Sequence, residues 1–475
     1  METLAERGLT PAAIETAFAE IRQHDLDWSS GRCFAYVFSA GEDVSAVARN
    51  AYTAFMTENA LDPTSFPSLV RMENEVVAIA AELMHGDGAV GNFTSGGTES
   101  ILLAVKTARD HVRATRGIER PTLVVADSVH PAFHKAAHYF GLDVISLPVR
   151  KDFRADVEAM AAAIDDRTAL VVGSAPSYAQ GVVDPIPELA RAAAEHGVLM
   201  HVDACVGGFF LPFLEQAGMS VPAFDFRIPG VTSISLDLHK HGYCPKGASV
   251  ILYADADLRR HQLFAHTRWA GYGLTNATIQ SSRGGAAVAS AWAVLRNIGA
   301  QRYRTLQTEV RQCVIDLCKG IDAIDGIHVL GEPDGSLLAF ASDEIDVFAI
   351  VDAMRARGWY VQPQFGHGTV PKSIHLTVTP INVPHRDTFL ADLAQCVDAL
   401  RTAAPSKGGQ DPMAALATAF ASGKISIPDA IAAIGADPAR AGEESASINR
   451  VLDSLPAEHV EAILREYFHQ MYAGS

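Results

Sequence analysis

A lysine near the middle of the chain has the surroundings of a reactive amine. Lys240 follows a short apolar run in the segment Ser233–Gly247 and lies between His239 and His241. In a pocket, neighbouring cationic groups lower the pKa of a lysine, and the free amine then forms a Schiff base with an aldehyde. A solvated surface lysine is an equally simple interpretation of Lys240 alone. The two histidines have no third ligand nearby, so no metal site is predicted.

A glycine-rich segment, Gly91–Ser100, precedes a helical pattern. Gly96 and Gly97 let the backbone approach a ligand closely, and the start of a helix offers free N–H groups and the positive end of the helix dipole. The segment predicts a phosphate site, although a plain turn that caps a helix fits the same letters. It matches neither GxGxxG nor GxxxxGK[ST], so dinucleotide and P-loop sites lack support.

An aspartate, Asp203, ends an apolar run in the string HVDACVGG. A carboxylate at the carboxyl end of a buried strand points into the ligand crevice, where it keeps a bound nitrogen charged. A lone aspartate that caps the next helix is the alternative. In this chain order, the phosphate site, Asp203 and Lys240 together describe pyridoxal 5′-phosphate (PLP) held by its phosphate, its ring nitrogen and its aldehyde.

The elements that position these residues are short apolar strands that alternate with helices. Such alternation predicts an α/β fold with a buried, mostly parallel sheet, and it places the ligand site at the carboxyl ends of the strands. The predicted strands are Leu123–Ala126, Val144–Leu147, Ala169–Val172, Val198–Val202, Ser233–Leu236 and Ser249–Tyr253, and the helices between them include Ser100–Arg113, Val157–Ile164 and Ile186–Glu195.

A long helical pattern from Ala286 through Leu317 separates this region from a smaller α+β unit. We expect three parts: an N-terminal helical segment (1–60), a large PLP-binding domain (61–315) and a small C-terminal α+β domain with a helical extension (316–475). The polar, glycine-containing stretch at about 404–412 reads as a linker within the last part.

The composition limits the partners and the compartment. Of 475 residues, 48% are hydrophobic and 20% are charged, which excludes wholesale disorder. The net charge of −17 opposes binding to nucleic acid. The N-terminus resembles no signal peptide, apolar runs are too short to span a membrane, and the six cysteines form no CxxC pair. We therefore expect a soluble cytoplasmic protein without a membrane anchor.

Four strings together resemble one enzyme family. TSGGTES, HVDAC-GG, S-S-D-HK-G-PKG and Gln280–Gly285 (QSSRGG) are similar to the sphingosine-1-phosphate lyase branch of the group II PLP-dependent decarboxylases, in its soluble bacterial form. The likeness runs from about Ser30 to Leu400 and again through Ser445–Tyr472. It implies a fold type I aminotransferase architecture, PLP as the cofactor, a small amine as the substrate, and a homodimer with an active site shared between subunits.

The resemblance also implies roles for single residues. Lys240 would be the Schiff-base lysine, Asp203 would pair with the pyridinium nitrogen, and His130 would stack on the cofactor ring. Further residues fall into two groups: Gly97, Thr98, His239 and, from the neighbouring subunit, Ser282 would bind the cofactor, and Tyr178, Cys205 and Lys246 would line the substrate pocket.

Two substrate-pocket positions differ from the family pattern. Phe38 stands where the lyases have a tyrosine, and Asp62, in Asn59–Pro63, stands where they have a histidine, both brought by the partner subunit toward the substrate phosphate. A phenylalanine donates no hydrogen bond, and a carboxylate repels a phosphate. The substrate is therefore expected to lack a phosphate or to place it differently. Slippage of the alignment in this loop, or replacement of the missing tyrosine by Tyr36, is the alternative.

The expected reaction is cleavage of the C2–C3 bond of a 2-amino-3-hydroxy amine, possibly phosphorylated, to an aldehyde and a small amine. An amino-acid decarboxylase on the same scaffold is the alternative, because the same PLP site serves both reactions. A catalytically inactive binding protein with this fold is a third hypothesis, and the intact Lys240, Asp203 and His130 argue against it.

Overall fold

A seven-stranded sheet forms the centre of the chain. The computed structural model describes residues 4–402 and 445–473. The sheet has the order β1-β7-β6-β5-β4-β2-β3, and β7 is antiparallel to both of its neighbours whereas β2–β6 pair in parallel. The predicted α/β fold with a mostly parallel sheet is confirmed. The strands are β1 (Val90–Thr94), β2 (Thr122–Ala126), β3 (Asp143–Leu147), β4 (Thr168–Ser174), β5 (Leu199–Asp203), β6 (Val231–Leu236) and β7 (Ser249–Tyr253).

Helices lie on both faces of this sheet. Successive strand residues point to opposite faces, and along β2 Val124 packs into one apolar cluster and Leu123 into another. The helices up to the end of this region are α1 (Pro11–Ile21), α2 (Glu42–Ala54), α3 (Pro67–Leu83), α4 (Gly97–Arg116), α5 (Ala132–Phe140), α6 (Val157–Ala162), α7 (Ile186–Glu195), α8 (Leu211–Gln216), α9 (Ala256–Arg260) and α10 (Gly285–Asp322). Helices α4 and α5 pack on the Leu123 side, and α3, α7, α8 and α10 pack on the Val124 side.

A second, antiparallel sheet follows α10. Its order is β10-β11-β13-β12, with β10 (His328–Val329), β11 (Leu337–Ala341), β12 (Gln362–Gln364) and β13 (Ser373–Thr377). The helices beside it are α11 (Val347–Ala356) and α12 (Arg386–Thr402), and two further helices, Ser445–Ser454 and Ala457–Tyr472, come last. The expected linker at 404–412 lies outside the described residues. The division at 60 and 315 stays a prediction.

The sequence patterns missed the strand β1. The string VGNFT contains a glycine and an asparagine and does not alternate, so it reads as a loop. In the structure, a Cβ on Gly91 would lie 2.2 Å from the carbonyl oxygen of Ile251 on β7. The glycine therefore permits a close approach of the β1 and β7 backbones. Strand β1 forms one edge of the sheet, and in the chain it is followed by Gly96 and Gly97 at the start of α4.

A short hairpin lies between the two sheets in the chain. It consists of β8 (Phe264–His266) and β9 (Leu274–Asn276), and its loop carries exposed aromatic side chains, Trp269 and Tyr272. Among the helices that the structure describes, none is long and apolar enough to cross a membrane.

Candidate active site

The three predicted segments meet at the carboxyl ends of the parallel strands. β5 ends at Asp203, Lys240 lies four residues after the end of β6, and α4 begins at Gly97. They surround one cavity of about 340 Å³. Of the predicted site residues, eight line this cavity: Gly97, Thr98, His130, Tyr178, Asp203, Cys205, His239 and Lys240. These eight residues, which were chosen from the sequence, therefore lie together in the structure.

The amine of Lys240 has an acidic neighbour that the sequence analysis did not single out. Its Nζ lies 2.9 Å from Oδ2 of Asp237, whose side chain is only 2% exposed. Burial lowers the pKa of Lys240, but the charge and hydrogen bond of Asp237 together with the charges of Cys205 and Asp203 outweigh burial and raise this pKa above its ordinary value. The expected lowering of this pKa is therefore wrong for the chain as it stands.

The sequence analysis expected the flanking histidines to be cationic and to lower the pKa of Lys240, and this expectation is also wrong. Burial lowers the pKa of His239 to about 4 and that of His241 to about 3. Both rings are neutral at pH 7, and they do not repel the ammonium group. His241 donates or accepts at Ser336 Oγ, 2.6 Å away, and lies among the aromatic rings of Phe38 and Phe210. It is a buried structural ring and not a cationic neighbour.

Asp203 is held in place at the end of β5. Its Oδ1 accepts a hydrogen bond of 3.1 Å from the backbone N–H of Cys205 and lies 3.5 Å from Ser235 Oγ. Beneath it, His201 pairs with Ser233 and Ser235 on β6, and burial lowers the pKa of His201 to about 4. The carboxylate is thus fixed by neutral donors, which leave its negative charge available to a ligand.

The glycine pair allows the start of α4 to pack against the strand ends. Gly96 has φ 154°, a conformation that favours glycine, and Glu99 Oε2 accepts a 2.6 Å hydrogen bond from the backbone N–H of Ser95. A Cβ on Gly97 would lie 2.7 Å from Asp237 Oδ2 and 2.9 Å from Cys205 Sγ. A larger residue at position 97 would therefore displace the groups that form the cavity wall.

His130 and Tyr178 line the cavity from the loops that follow β2 and β4, two neighbouring strands of the sheet. Burial lowers the pKa of His130, and its Nδ1 accepts a 3.2 Å hydrogen bond from Ala132 N, so the ring is neutral. The Tyr178 hydroxyl donates to Gln362 Oε1 at 2.7 Å, and its ring stacks on His375 with centroids 4.3 Å apart. Burial raises the pKa of Tyr178, which keeps this hydroxyl protonated.

Four predicted residues lie outside the cavity lining. Lys246 and Phe38 lie together, with Lys246 Nζ 5.4 Å from the centre of the Phe38 ring. Asp62 Oδ1 accepts hydrogen bonds from the backbone and hydroxyl of Thr64, and Ser282 is exposed. Within one subunit, the structure therefore does not bring Asp62 or Ser282 to Lys240. Phe38 contacts His241 and Lys246 of its own chain.

No role was predicted for Asp237, although the family string S-S-D-HK-G-PKG contains it. Asp237 is the first residue after β6 and stands three positions before Lys240, a spacing that brings side chains together in a tight turn. Aspartate directly after a buried strand is the same signal that identified Asp203.

A cluster of side chains of the types that bind metal ions lies outside the cavity, among the described residues. His85, Glu215 and Asp225 have ligand atoms close enough to hold a metal ion. However, Arg227 forms hydrogen bonds to both Glu215 oxygens and to Asp225. The arginine already supplies the positive charge that the acids require, so the cluster is an ion-pair network.

Comparison with known proteins defines the class first. The model of the pyridoxal-dependent decarboxylase conserved domain matches residues 15–342. A glutamate decarboxylase from Lactobacillus brevis superposes with a TM-score of 0.74 at 20% identity, over 86% of this chain and 96% of that one. At this identity the likeness shows the fold alone. The chain is a PLP-dependent enzyme of this class.

More similar proteins define the family. A sphingosine-1-phosphate lyase from Oryza sativa is 39% identical over 403 residues, 83% of this chain and 74% of the rice protein. The Rattus norvegicus enzyme is 37% identical over 84% and 70% of the two chains. The structure of a Burkholderia pseudomallei sphingosine-1-phosphate lyase has a TM-score of 0.81 at 38% identity, covering 85% of this chain and 94% of that one. The chain belongs to the sphingosine-1-phosphate lyase family and is a PLP-dependent lyase.

The cavity fits this cofactor. It combines a glycine start of a helix, an amine and a carboxylate, and it contains a buried oxygen, Asp237 Oδ1, that has no hydrogen-bond partner among the described residues. A phosphate suits a helix start, and a pyridine nitrogen suits a fixed carboxylate. The neutral His130 ring offers an apolar face with no competing charge.

Proposed function

We propose that this chain cleaves the C2–C3 bond of a 2-amino-3-hydroxy amine and releases an aldehyde and a small amine. The observation that carries the proposal is the single cavity that Lys240, Asp203 and the start of α4 share. Family membership supports a carbon–carbon lyase, and the names of the relatives indicate sphingosine 1-phosphate as the first substrate to test.

We assign the cofactor contacts as follows. Lys240 binds the aldehyde, Asp203 faces the ring nitrogen, and His130 stacks on the ring; Gly97, Thr98 and His239 hold the phosphate. When bound, PLP supplies an electron sink for the bond that breaks. The chain supplies a fixed negative charge at Asp203, which holds the ring nitrogen protonated.

Tyr178 and Cys205 line the cavity beside the proposed cofactor contacts, and Lys246 lies outside its lining, next to Phe38. The Tyr178 hydroxyl stays protonated and is a hydrogen-bond donor at any physiological pH. Burial and the charge of Lys240 lower the pKa of Lys246. Lys246 therefore gives up a proton more readily than Lys240, whose pKa is raised. We assign Tyr178 and Lys246 to the polar end of the substrate, and Cys205 to the wall beneath it as a buried, protonated thiol.

Product analysis tests the reaction. The purified protein is incubated with sphingosine 1-phosphate, with unphosphorylated sphingosine and with an analogue that lacks the 3-hydroxyl group, and the aldehyde is trapped and quantified. We expect aldehyde only from substrates that carry the 3-hydroxyl group. Lys240→Ala is the matched control and forms none. Release of carbon dioxide from amino acids without any aldehyde would favour the decarboxylase instead.

We further propose a homodimer in which the partner's copy of Ser282 completes the phosphate site. Ser282 is exposed in its own chain. In the chain segment that precedes it, Trp269, Tyr272 and Ile279 are each at least half exposed, and a second subunit would cover such apolar side chains. The molar mass in solution, measured by light scattering, checks the dimer.

We also propose that the protein is located in the cytoplasm. The six cysteines are free and none forms a disulfide with another. Free thiols are typical of a reducing compartment.

A further inference from the structure

One acidic residue of the cavity has no role in the proposed function. Asp237 follows β6, its side chain is 2% exposed, and it has no place among the cofactor contacts assigned above. Its Oδ2 lies 2.9 Å from Lys240 Nζ and 3.6 Å from His239 Nε2. A carboxylate removed from water to this degree requires compensation by a positive charge. Lys240 is the residue that supplies it.

The second oxygen of Asp237 strengthens this interpretation. Oδ1 has no hydrogen-bond partner among the described residues. A Cβ on Gly97 would lie 2.9 Å from Oδ1 and 2.7 Å from Oδ2, so the carboxylate lies against the start of α4. Unpaired buried oxygens are rare where a side chain serves packing only.

The charges around Lys240 are few. Asp203 and Asp237 are the acids whose charge acts on it, and Cys205 adds a thiol. The charge of Lys246 interacts with Lys240 and with Asp237. The rings that face the group, His130 and His239, are neutral because burial lowers their pKa values. Asp203 is committed to the backbone of Cys205, which leaves Asp237 as the acid in contact with Nζ.

We propose that Asp237 is a positioning residue for Lys240: its carboxylate holds Nζ at the start of α4 and is the counter-charge of this nitrogen. The proposal rests on the role assigned to Lys240 in the proposed function. Removal of the carboxylate should leave the amine less firmly placed and easier to deprotonate, while the cofactor contacts themselves remain.

The test begins with the holoenzyme and three proteins: wild type, Asp237→Asn and Asp237→Glu. The pH at which the bond between Lys240 and the cofactor loses its proton is read from the visible absorption spectrum. Loss of an opposite charge in contact should lower this pH by about 1–3 units in Asp237→Asn. Asp237→Glu keeps the charge and should recover at least half of the shift.

A matched buried acid provides the control. Asp225 is 1% exposed and pairs with Arg227 and His85 outside the cavity. Asp225→Asn should leave the spectral titration of the cofactor unchanged. An Asp237→Asn titration that coincides with wild type would overturn the proposal.

A second measurement needs no variant. The full-length chain, freed of cofactor, is treated with an amine-acetylating reagent over a pH series, and modification of each lysine is followed by mass spectrometry. The pH midpoint for Lys240 should lie well above that for Lys246. A midpoint for Lys240 at or below that of Lys246 would overturn the proposal. If reduction with borohydride attaches the cofactor to a lysine other than Lys240, the proposed function fails, and this outcome is distinct from failure of the Asp237 assignment.

Discussion

At position 38 a phenylalanine ring lies against a lysine. The Phe38 ring is 5.4 Å from Lys246 Nζ and meets the His241 ring edge-on with centroids 4.9 Å apart. This ring offers a substrate no hydrogen bond, whereas the tyrosine that the family resemblance implies would donate one. Tyr36, the suggested replacement, pairs its hydroxyl with that of Tyr360 at 2.8 Å. The site next to Lys246 is therefore less polar than the sequence resemblance alone implies.

This difference leads to a prediction about substrate choice. Phe38→Tyr combined with Asp62→His adds a donor and removes a negative charge. A hydrogen bond to a charged group contributes about 1.5–3 kcal/mol, so kcat/KM for a phosphorylated amine should rise at least about tenfold. Steady-state assays with paired phosphorylated and unphosphorylated amines check it. The unphosphorylated amine is the control, and its kcat/KM should not rise; equal values for variant and wild type on the phosphorylated amine would contradict the hypothesis.

Helix α10 shows how one residue shapes an element. The sequence pattern predicts one continuous helix from Ala286 through Leu317. In the structure Gly299, at φ 65° and ψ 163°, interrupts the helical geometry within α10. An isolated glycine in a helical pattern does not by itself predict a kink, because straight helices also tolerate glycine. In the structure α10 packs against α2, α3 and α8, and these contacts between distant segments are not visible in the sequence pattern.

The kink yields a prediction about stability. A Cβ on Gly299 meets no described atom within 4 Å, so Gly299→Ala tests the backbone conformation alone. This region of φ and ψ is nearly exclusive to glycine, and the substitution should lower the free energy of unfolding by about 1–3 kcal/mol. Urea denaturation followed by circular dichroism measures the change.

Gly117, which ends α4, is the matched control. It also meets no described atom within 4 Å, but its φ 68° and ψ 20° lie in the left-handed helical region. Asparagine is tolerated there. Gly117→Asn should therefore be milder than Gly117→Ala, whereas Gly299→Asn should be as harmful as Gly299→Ala. The same ranking at both positions would show that conformation is not the cause.

At the scale of the whole molecule, buried neutral histidines occur in both sheets and in the active-site turn. Burial lowers the pKa to about 4 for His201, His239 and His375 and to about 3 for His241. An unfolded chain protonates these rings near pH 6.5. Between pH 6.5 and about 4 the unfolded state therefore binds more protons than the native state, and stability falls as the pH falls.

The molecule should accordingly lose stability in mild acid. At pH 5 each of these rings destabilises the native state by on the order of 1–2 kcal/mol relative to pH 7.5. Burial raises the pKa of Asp184 to about 6, which acts in the opposite direction but involves one group. Urea denaturation at pH 7.5 and 5.0 measures the difference. His375→Gln should make the decline shallower, and the exposed His138→Gln should not; identical pH dependence in all three proteins would contradict this account.

The fold class and the cofactor were predicted from the amino-acid sequence and are confirmed, whereas the positions of the cofactor contacts stay a prediction. Apolar runs and glycine-rich turns are local properties, so they identified the strands β2–β7 and the ends at which Asp203 and Lys240 stand. The family resemblance added His130 and Tyr178, and the structure places both beside the same cavity. Membership in the lyase family was also predicted from local strings.

The electrostatics of the site depend on contacts that form only when the chain folds. The ionisation of Lys240 depends on which charges lie within a few ångströms and on how much water is excluded, and Asp237, His239 and His241 differ in both respects only after folding. The strand β1 likewise depends on the close approach of Gly91 to β7, and the kink at Gly299 lies in a helix that packs against α2, α3 and α8. Periodicity describes which face of an element is buried, but it does not describe what lies against that face, and this is why the sequence missed them.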